Sequence, residues 1–415
     1  MISFRHKVLC CISLAAMTLP GLAFTPQLRT VIGEADPARL ERIGRHLITG
    51  LDSISSATLL VEKRAIAGIF ITDHNVKGKT AAQVGAVIAK LQAIRTSQGL
   101  PPLIIAADQE GGPVSRLSPP LKRQPTLASL VAEPAVKKAK NAKVAAKKPS
   151  AKSRAVNAAA AAAFKRPPAP EPDAQKQARV EGFAREQAAG LKAMGVTLNF
   201  SPVVDLKMKL KSRNDGETNL TRRAISDDAA LVTKTATWYC DALVKEGVMC
   251  TLKHFPGLGR VAVDTHRRQA TLSASRDDLL TRDWAPYRAL MEKPGITTML
   301  GHVRLAAIDD KTPASFSTAV IDGLIRREWQ HSGLLITDDF SMGAVTKAGE
   351  GTAGAAVKSL NAGADLVLVS WGERDLTGIL SGLLKADADG LLDHSKLEAS
   401  VTRMSNARID IAAHK

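Results

Sequence analysis

Eight short apolar runs, at residues 46–51, 67–72, 103–108, 197–205, 249–254, 297–302, 334–338 and 364–370, alternate with longer amphipathic stretches such as 178–193 and 227–245. Strands separated by helices point to a parallel sheet, because each parallel connection needs a crossover of a dozen or more residues. The runs are apolar almost throughout rather than strictly alternating, the pattern of strands covered on both faces. Eight is also the number that closes a barrel, so the expected fold class is α/β, a single (β/α)8 TIM-type barrel. An open doubly wound sheet is the rival arrangement, but no Gly-x-Gly-x-x-Gly turn follows an early strand.

The formal charge of +17 is high for such a body and suggests a polyanionic partner. About half of it lies in one stretch, 131–170, where ten lysines and arginines face a single acid, Glu133. That stretch is nearly pure Lys, Ala, Pro and Ser, so it cannot bury a core and is expected to be a disordered insertion, bounded at 131–172. Only Phe164 within it offers a ring for base stacking, which argues against a nucleic-acid platform. Weak contact with anionic envelope polymers is the preferred role.

At the amino terminus Arg5 and Lys7 precede an apolar run over residues 8–19 that ends in Pro20-Gly21-Leu22-Ala23, the pattern of a signal peptide cleaved after Ala23. The run is shorter than a membrane span, so no span is expected after cleavage. Residues 24–415 then form the barrel, in a periplasmic or secreted location; a cytoplasmic or N-terminally anchored chain is the alternative. Cys240 and Cys250 remain after cleavage, one in a helical and one in a strand-like pattern, and are expected to be two buried thiols.

The polar residues sit where a barrel enzyme places its site. Asp108, Asp205, Lys253-His254, His302 and Asp338 all fall at the carboxyl ends of different expected strands. An Asp there often serves only as a helix cap, and a lone His as a structural residue. Five such ends on one rim, however, are costly unless they pair or bind a ligand. Three segments concentrate the chemistry. In Asp108-Gln-Glu-Gly-Gly-Pro-Val-Ser-Arg116 a Gly-Gly turn brings an acid and an arginine together, a pair suited to vicinal hydroxyls. Lys253-His254-Phe-Pro-Gly-Leu-Gly259 is followed by Asp264-Thr-His266, in which the Asp can hold the imidazole in one tautomer. Thr337-Asp338-Asp339 ends a strand in two acids, of which one should face the barrel mouth.

These segments, in this order, resemble the β-N-acetylglucosaminidases of glycoside hydrolase family 3, over roughly residues 40–370 apart from the insertion. The resemblance implies a retaining double displacement with Asp338 as nucleophile, Asp339 facing away, and His266 as general acid/base partnered by Asp264. It implies sugar-hydroxyl contacts from Asp108, Arg116, Lys253, His254 and Arg223, with Arg222 as the fallback for the last. Pro113 stands where the family usually has Arg, and Leu258 where these enzymes usually have a second His; the segment 207–221 is unusually basic and polar. Only about 45 residues follow the last expected strand, too few for the second domain of the family's β-glucosidases. Terminal β-N-acetylglucosamine in cell-wall or chitin-type glycan is therefore the expected substrate. A family 3 phosphorylase or β-glucosidase, and a catalytically degenerate barrel that binds glycan or anionic polymer, are the alternatives. No cofactor is expected, and no metal is assigned, since the histidines lack ligand spacing.

Overall fold

The computed structural model describes residues 26–133, 171–210, 216–371 and 373–413. The segment expected to be a signal peptide and most of the basic insertion lie outside these residues. Eight parallel strands close a barrel: β1 Leu47–Gly50, β2 Gly68–Ile71, β3 Ile104–Ala107, β4 Leu198–Asn199, β5 Met249–Phe255, β6 Ile296–Leu300, β7 Leu334–Asp339 and β8 Leu366–Val369. Each strand pairs with its sequence neighbours, and β1 closes the ring on β8. All eight expected strands are present. The fourth is far shorter than its apolar run, because Pro202 cannot donate to a ladder; only Val203 bridges to Lys253 beyond it.

The absence of alternation in the apolar runs has a direct cause. Ile48, Ile104, Ala106, Leu334, Ile336, Leu366 and Leu368 point inward and form one core with Phe70, Phe200, Met249 and Met299, to which Met404 of the last helix adds. Their neighbours Leu47, Ile105, Leu335, Val367 and Val369 point outward into a second, larger core beneath the helices. Both faces of every strand are buried, so both parities are apolar.

The helix Asp173–Ala193 starts earlier than its expected 178, and Asp228 caps Ala229–Lys245 by accepting the Ala230 and Leu231 amides. Cys240 on that helix and Cys250 on β5 form a disulfide, with Cα atoms 5.5 Å apart. The expectation of two thiols fails because a barrel helix packs its buried face on the strand that follows it. Helical and strand residues are thereby brought face to face. Val131 is the buried last residue of the helix Leu127–Val131, so the insertion begins after it. Its two flanks meet: Glu133 accepts the Glu171 amide at 3.1 Å and Lys176 Nζ at 2.5 Å. The insertion therefore leaves and re-enters the barrel at one point. No helix among the described residues is long and apolar enough to cross a membrane.

Candidate active site

Strand parity also decides which side chains reach the barrel mouth. Continuing each inward-facing series past the core leads from Phe70 to Thr72, from Ala106 to Asp108, from Ile336 to Asp338 and from Leu368 to Ser370. All four border one cavity of ≈ 490 Å³, together with Arg116, Arg223, Lys253, His254 and His266. Two residues arrive against parity. One extra residue lies on β5 between Leu252 and Phe255, and one on β7 between Ile336 and Asp339. Such bulges re-aim side chains. Lys253 and His254 consequently both face the cavity, and Asp339 borders it beside Asp338 instead of facing away. The Asp339 carboxylate is nevertheless engaged: it accepts the amides of Ser341 at 3.0 Å and Ser370 at 2.9 Å, and both their hydroxyls.

Asp338 accepts the Asp339 amide at 2.9 Å. Burial alone would raise its pKa, but His254 first, together with His266 and the Asp339 amide, outweighs burial and holds it below the ordinary carboxylate value. The carboxylate is thus kept ionised, as a nucleophile requires.

His266 presents its imidazole from the loop after β5, with Nδ1 2.9 Å from Asp264 Oδ1. That contact places the Nδ1 proton on the Asp264 side and leaves Nε2 for the cavity. Asp264 accepts four further bonds, from the amides of Glu217 (2.8 Å), Thr218 (3.2 Å) and His266 (3.0 Å) and from the Thr218 hydroxyl (2.7 Å). Burial pushes its pKa up, and these bonds push it further down, well below the usual carboxylate range. The other side of the loop is pinned as well, since the Gly343 amide donates to the His266 carbonyl at 2.7 Å.

A chain of charges forms the opposite wall. Lys253 Nζ lies 2.6 Å from Asp108 Oδ1 and 2.6 Å from Glu110 Oε1. Glu110 takes Arg223 in a fork, Nε at 2.9 Å and Nη2 at 2.6 Å, and Arg223 Nη1 reaches the Thr218 carbonyl at 2.8 Å. Burial opposes the ionised Glu110, but Arg223 and Lys253 hold its pKa at about 2. Arg223, not the exposed Arg222, borders the cavity. Because its fork is committed to Glu110, part of its role is to hold Glu110 and Lys253 in place. Arg116 makes no ion pair among the described residues and faces the cavity beside Asp108.

Two of the five polar strand ends stand behind the site rather than in it. Asp205 accepts His254 Nδ1–H at 2.7 Å and the Leu258 amide at 2.6 Å, which fixes the Lys253–Gly259 loop and turns His254 Nε2 to the cavity. His302 donates from Nε2 to the Asp339 carbonyl at 3.0 Å and accepts the Ser315 hydroxyl at Nδ1. Burial lowers its pKa and keeps it neutral, so it supports the end of β7. Leu258 is buried, and its amide supplies the Asp205 contact. The Asp108–Arg116 hairpin is anchored by Asn199, which exchanges hydrogen bonds with the Gln109 backbone at 3.0 and 2.9 Å. Its turn needs Gly111 at φ 92°, where a Cβ would also meet the Pro125 carbonyl at 2.2 Å.

Comparison with known proteins follows the same line. Residues 157–407 match the glycosyl hydrolase family 3 N-terminal domain. The chain belongs to glycosyl hydrolase family 3. It is 27% identical over 377 residues to the β-hexosaminidase LpqI of Mycobacterium tuberculosis, covering 89% of this chain and 82% of that one. It is 30% identical over 364 residues to a β-hexosaminidase of Xanthomonas oryzae, covering 84% and 93%. Among solved structures, a family 3 β-N-acetylglucosaminidase from a Paenibacillus species aligns with a TM-score of 0.73 at 25% identity. That alignment covers 91% of this chain and 63% of the Paenibacillus chain. Glu110 and Thr218 complete this family 3 site without having stood out in the sequence. Glu110 lies inside the Asp108–Arg116 motif, and an acid two residues past a strand end was the available signal. Thr218 lies in the segment that departs from the family pattern, so nothing marked it.

Proposed function

We propose that this chain is a retaining β-N-acetylhexosaminidase that removes terminal non-reducing β-N-acetylglucosamine from cell-wall or chitin-type glycan. One observation carries the reading: an ionised carboxylate, Asp338, and an imidazole oriented by its own carboxylate, His266, border the same cavity. The β-hexosaminidase names of the relatives agree with it.

With a sugar seated on Asp108, Arg116, Lys253 and His254, Asp338 attacks the anomeric carbon while His266 Nε2–H protonates the departing oxygen. The glycosidic bond breaks as the C1–Oδ ester bond forms. His266, now neutral at Nε2, takes a proton from water. The resulting hydroxide attacks C1, the ester bond breaks, and the β-configured sugar leaves with Asp338 restored. The Asp264 charge stabilises the imidazolium in both halves of the cycle. The test is release of chromophore from an aryl β-N-acetylglucosaminide beside an aryl β-glucoside, with and without phosphate. Faster turnover on the glucoside, or a sugar-1-phosphate product, would overturn the assignment.

Export to the cell envelope is part of the same proposal. The residues 1–23 pattern and the buried Cys240–Cys250 disulfide both suit an oxidising compartment. The basic insertion, which leaves the barrel at the Glu133–Glu171 junction, is proposed as a weak electrostatic tether to anionic envelope polymer. Such a tether fades as salt rises past about 0.15 M, where the Debye length is near 8 Å. Equal wall association by a chain lacking residues 134–170 would refute it.

A further inference from the structure

In the proposed reaction the anomeric carbon has Asp338 on one side and, on the other, the departing oxygen that His266 protonates. The two side chains come from different parts of the rim, Asp338 from β7 and His266 from the loop after β5. The gap between them has to match the substrate, because a misplacement of about 1 Å can cost roughly 10²-fold in rate. One short segment, residues 339–347, touches both.

Its start is fixed beside Asp338. The Asp339 carboxylate accepts four bonds, from the amides and the hydroxyls of Ser341 and Ser370. The Phe340 amide donates to the Leu368 carbonyl at 2.9 Å, and the buried Phe340 ring packs edge-on against those of His302 and Phe316. The start of the segment is thereby tied to β8 and cannot slide along the rim.

Its far end holds the loop that carries His266. The helix Gly343–Thr346 begins with amides that have no partner inside the helix. Two of them reach that loop: Gly343 donates to the His266 carbonyl at 2.7 Å and Ala344 to the Thr265 carbonyl at 3.2 Å. Lys347, just past the helix, adds its Nζ to the Arg267 carbonyl at 3.0 Å. Three consecutive carbonyls, centred on His266, are thus each held from one short stretch of chain. The approach leaves no room for a side chain at 343, where a Cβ would lie 2.5 Å from the Arg267 carbonyl oxygen and 2.9 Å from that of His266. Both are backbone atoms, so a side chain there has to displace the loop itself.

We propose that Gly343 and Lys347 are positioning residues, and that the segment 339–347 is a brace that sets the gap between Asp338 and His266. Asp339 anchors the brace beside the nucleophile, and Gly343 seats the imidazole at the departing oxygen. This inference rests on the hydrolase reading, in which His266 is the proton donor, and adds to it what places the donor.

The test uses two aryl β-N-acetylglucosaminides that differ in their need for a proton. 2,4-Dinitrophenolate leaves unaided, whereas the phenyl glycoside needs protonation as its bond breaks. For both, kcat/KM reports the step in which that bond is cleaved. Gly343→Ala is expected to lower kcat/KM on the phenyl glycoside at least about tenfold, out of the roughly 10²- to 10⁴-fold that a general acid supplies, and to leave the dinitrophenyl glycoside within about twofold. Retained dinitrophenyl turnover also reports a folded chain. In a His266→Ala background Gly343→Ala should cost nothing more on the phenyl glycoside, because its effect runs through the imidazole. Lys347 is exposed, and Lys347→Ala should show the same selective loss at about threefold, which decides the matter if Gly343→Ala does not fold. An unchanged phenyl rate, equal losses on both substrates, or a full further loss in the His266→Ala background overturns the brace and leaves the hydrolase reading standing. Equal losses on both glycosides in His266→Ala itself overturn the proton-donor reading and the brace with it.

Discussion

The Thr218 hydroxyl donates to Asp264 Oδ1 at 2.7 Å, the same oxygen that receives the His266 Nδ1 proton at 2.9 Å. One carboxylate oxygen thus ties the loop after β4 to the loop after β5, and the His266 imidazole is held where the two loops meet. Thr218 is a positioning residue that acts through Asp264.

Thr218→Val keeps the shape of the side chain and removes the donor. Activity is expected to fall about tenfold, in the range for partners that orient a functional ligand. The loss should fall on kcat with KM nearly unchanged, because Thr218 acts on the imidazole through Asp264, and Thr218→Ser should restore it. A loss shared equally by KM would assign the residue to packing of the cavity wall.

Asp338→Asn should lose more than about 10³-fold in kcat, because the proposed first step would have no nucleophile. A 5-fluoro N-acetylglucosaminyl fluoride should label the unaltered chain by one sugar mass on the peptide that contains Asp338. Peptide mass spectrometry reads the site directly, and a label on the Asp339 side chain would reassign the nucleophile.

Glu110→Gln breaks a buried pair while Arg223 and Lys253 stay charged, which costs about 3–5 kcal/mol of stability. The Glu110 pKa is depressed in the folded state, from 4.5 to about 2. Its contribution is thus complete above about pH 4.5 and is lost as pH falls toward 2. Urea titrations at pH 7 and at pH 3 check both parts. The gap between the two chains should narrow at the lower pH.

Reduction of Cys240–Cys250 should cost about 2–3 kcal/mol, the chain-entropy value for a loop closed over a separation of 10 residues. Since both sulfurs are buried, reductant should act only through the unfolded chain. Tm measured with and without dithiothreitol, and thiol counts before and after denaturation, test this.

Much of the barrel could be read from the residues in order. Strands covered on both faces must be apolar at both parities, and a run of eight such strands has few ways to pack. The inward series continues from core to rim, so Asp108, Lys253 and Asp338 were legible as polar residues at the carboxyl ends of strands. Asp264-Thr-His266 was legible because the carboxylate and the imidazole meet within one turn.

What the order of residues determined about this protein is local: strand parity, the Asp264–His266 pair, and the confinement of half the charge to one insertion. The tertiary structure alone decided the partnerships. Glu110 meets Arg223 across 113 positions, and Lys253 meets Asp108 across 145. Cys240 meets Cys250 because a barrel helix lies on the strand after it, and Asp205 and His302 proved to be props for His254 and β7. Side chains so far apart in sequence become neighbours only when the sheet closes, and burial then makes their pairing obligatory, because an unpaired charge behind that cavity would cost more than the fold can spare.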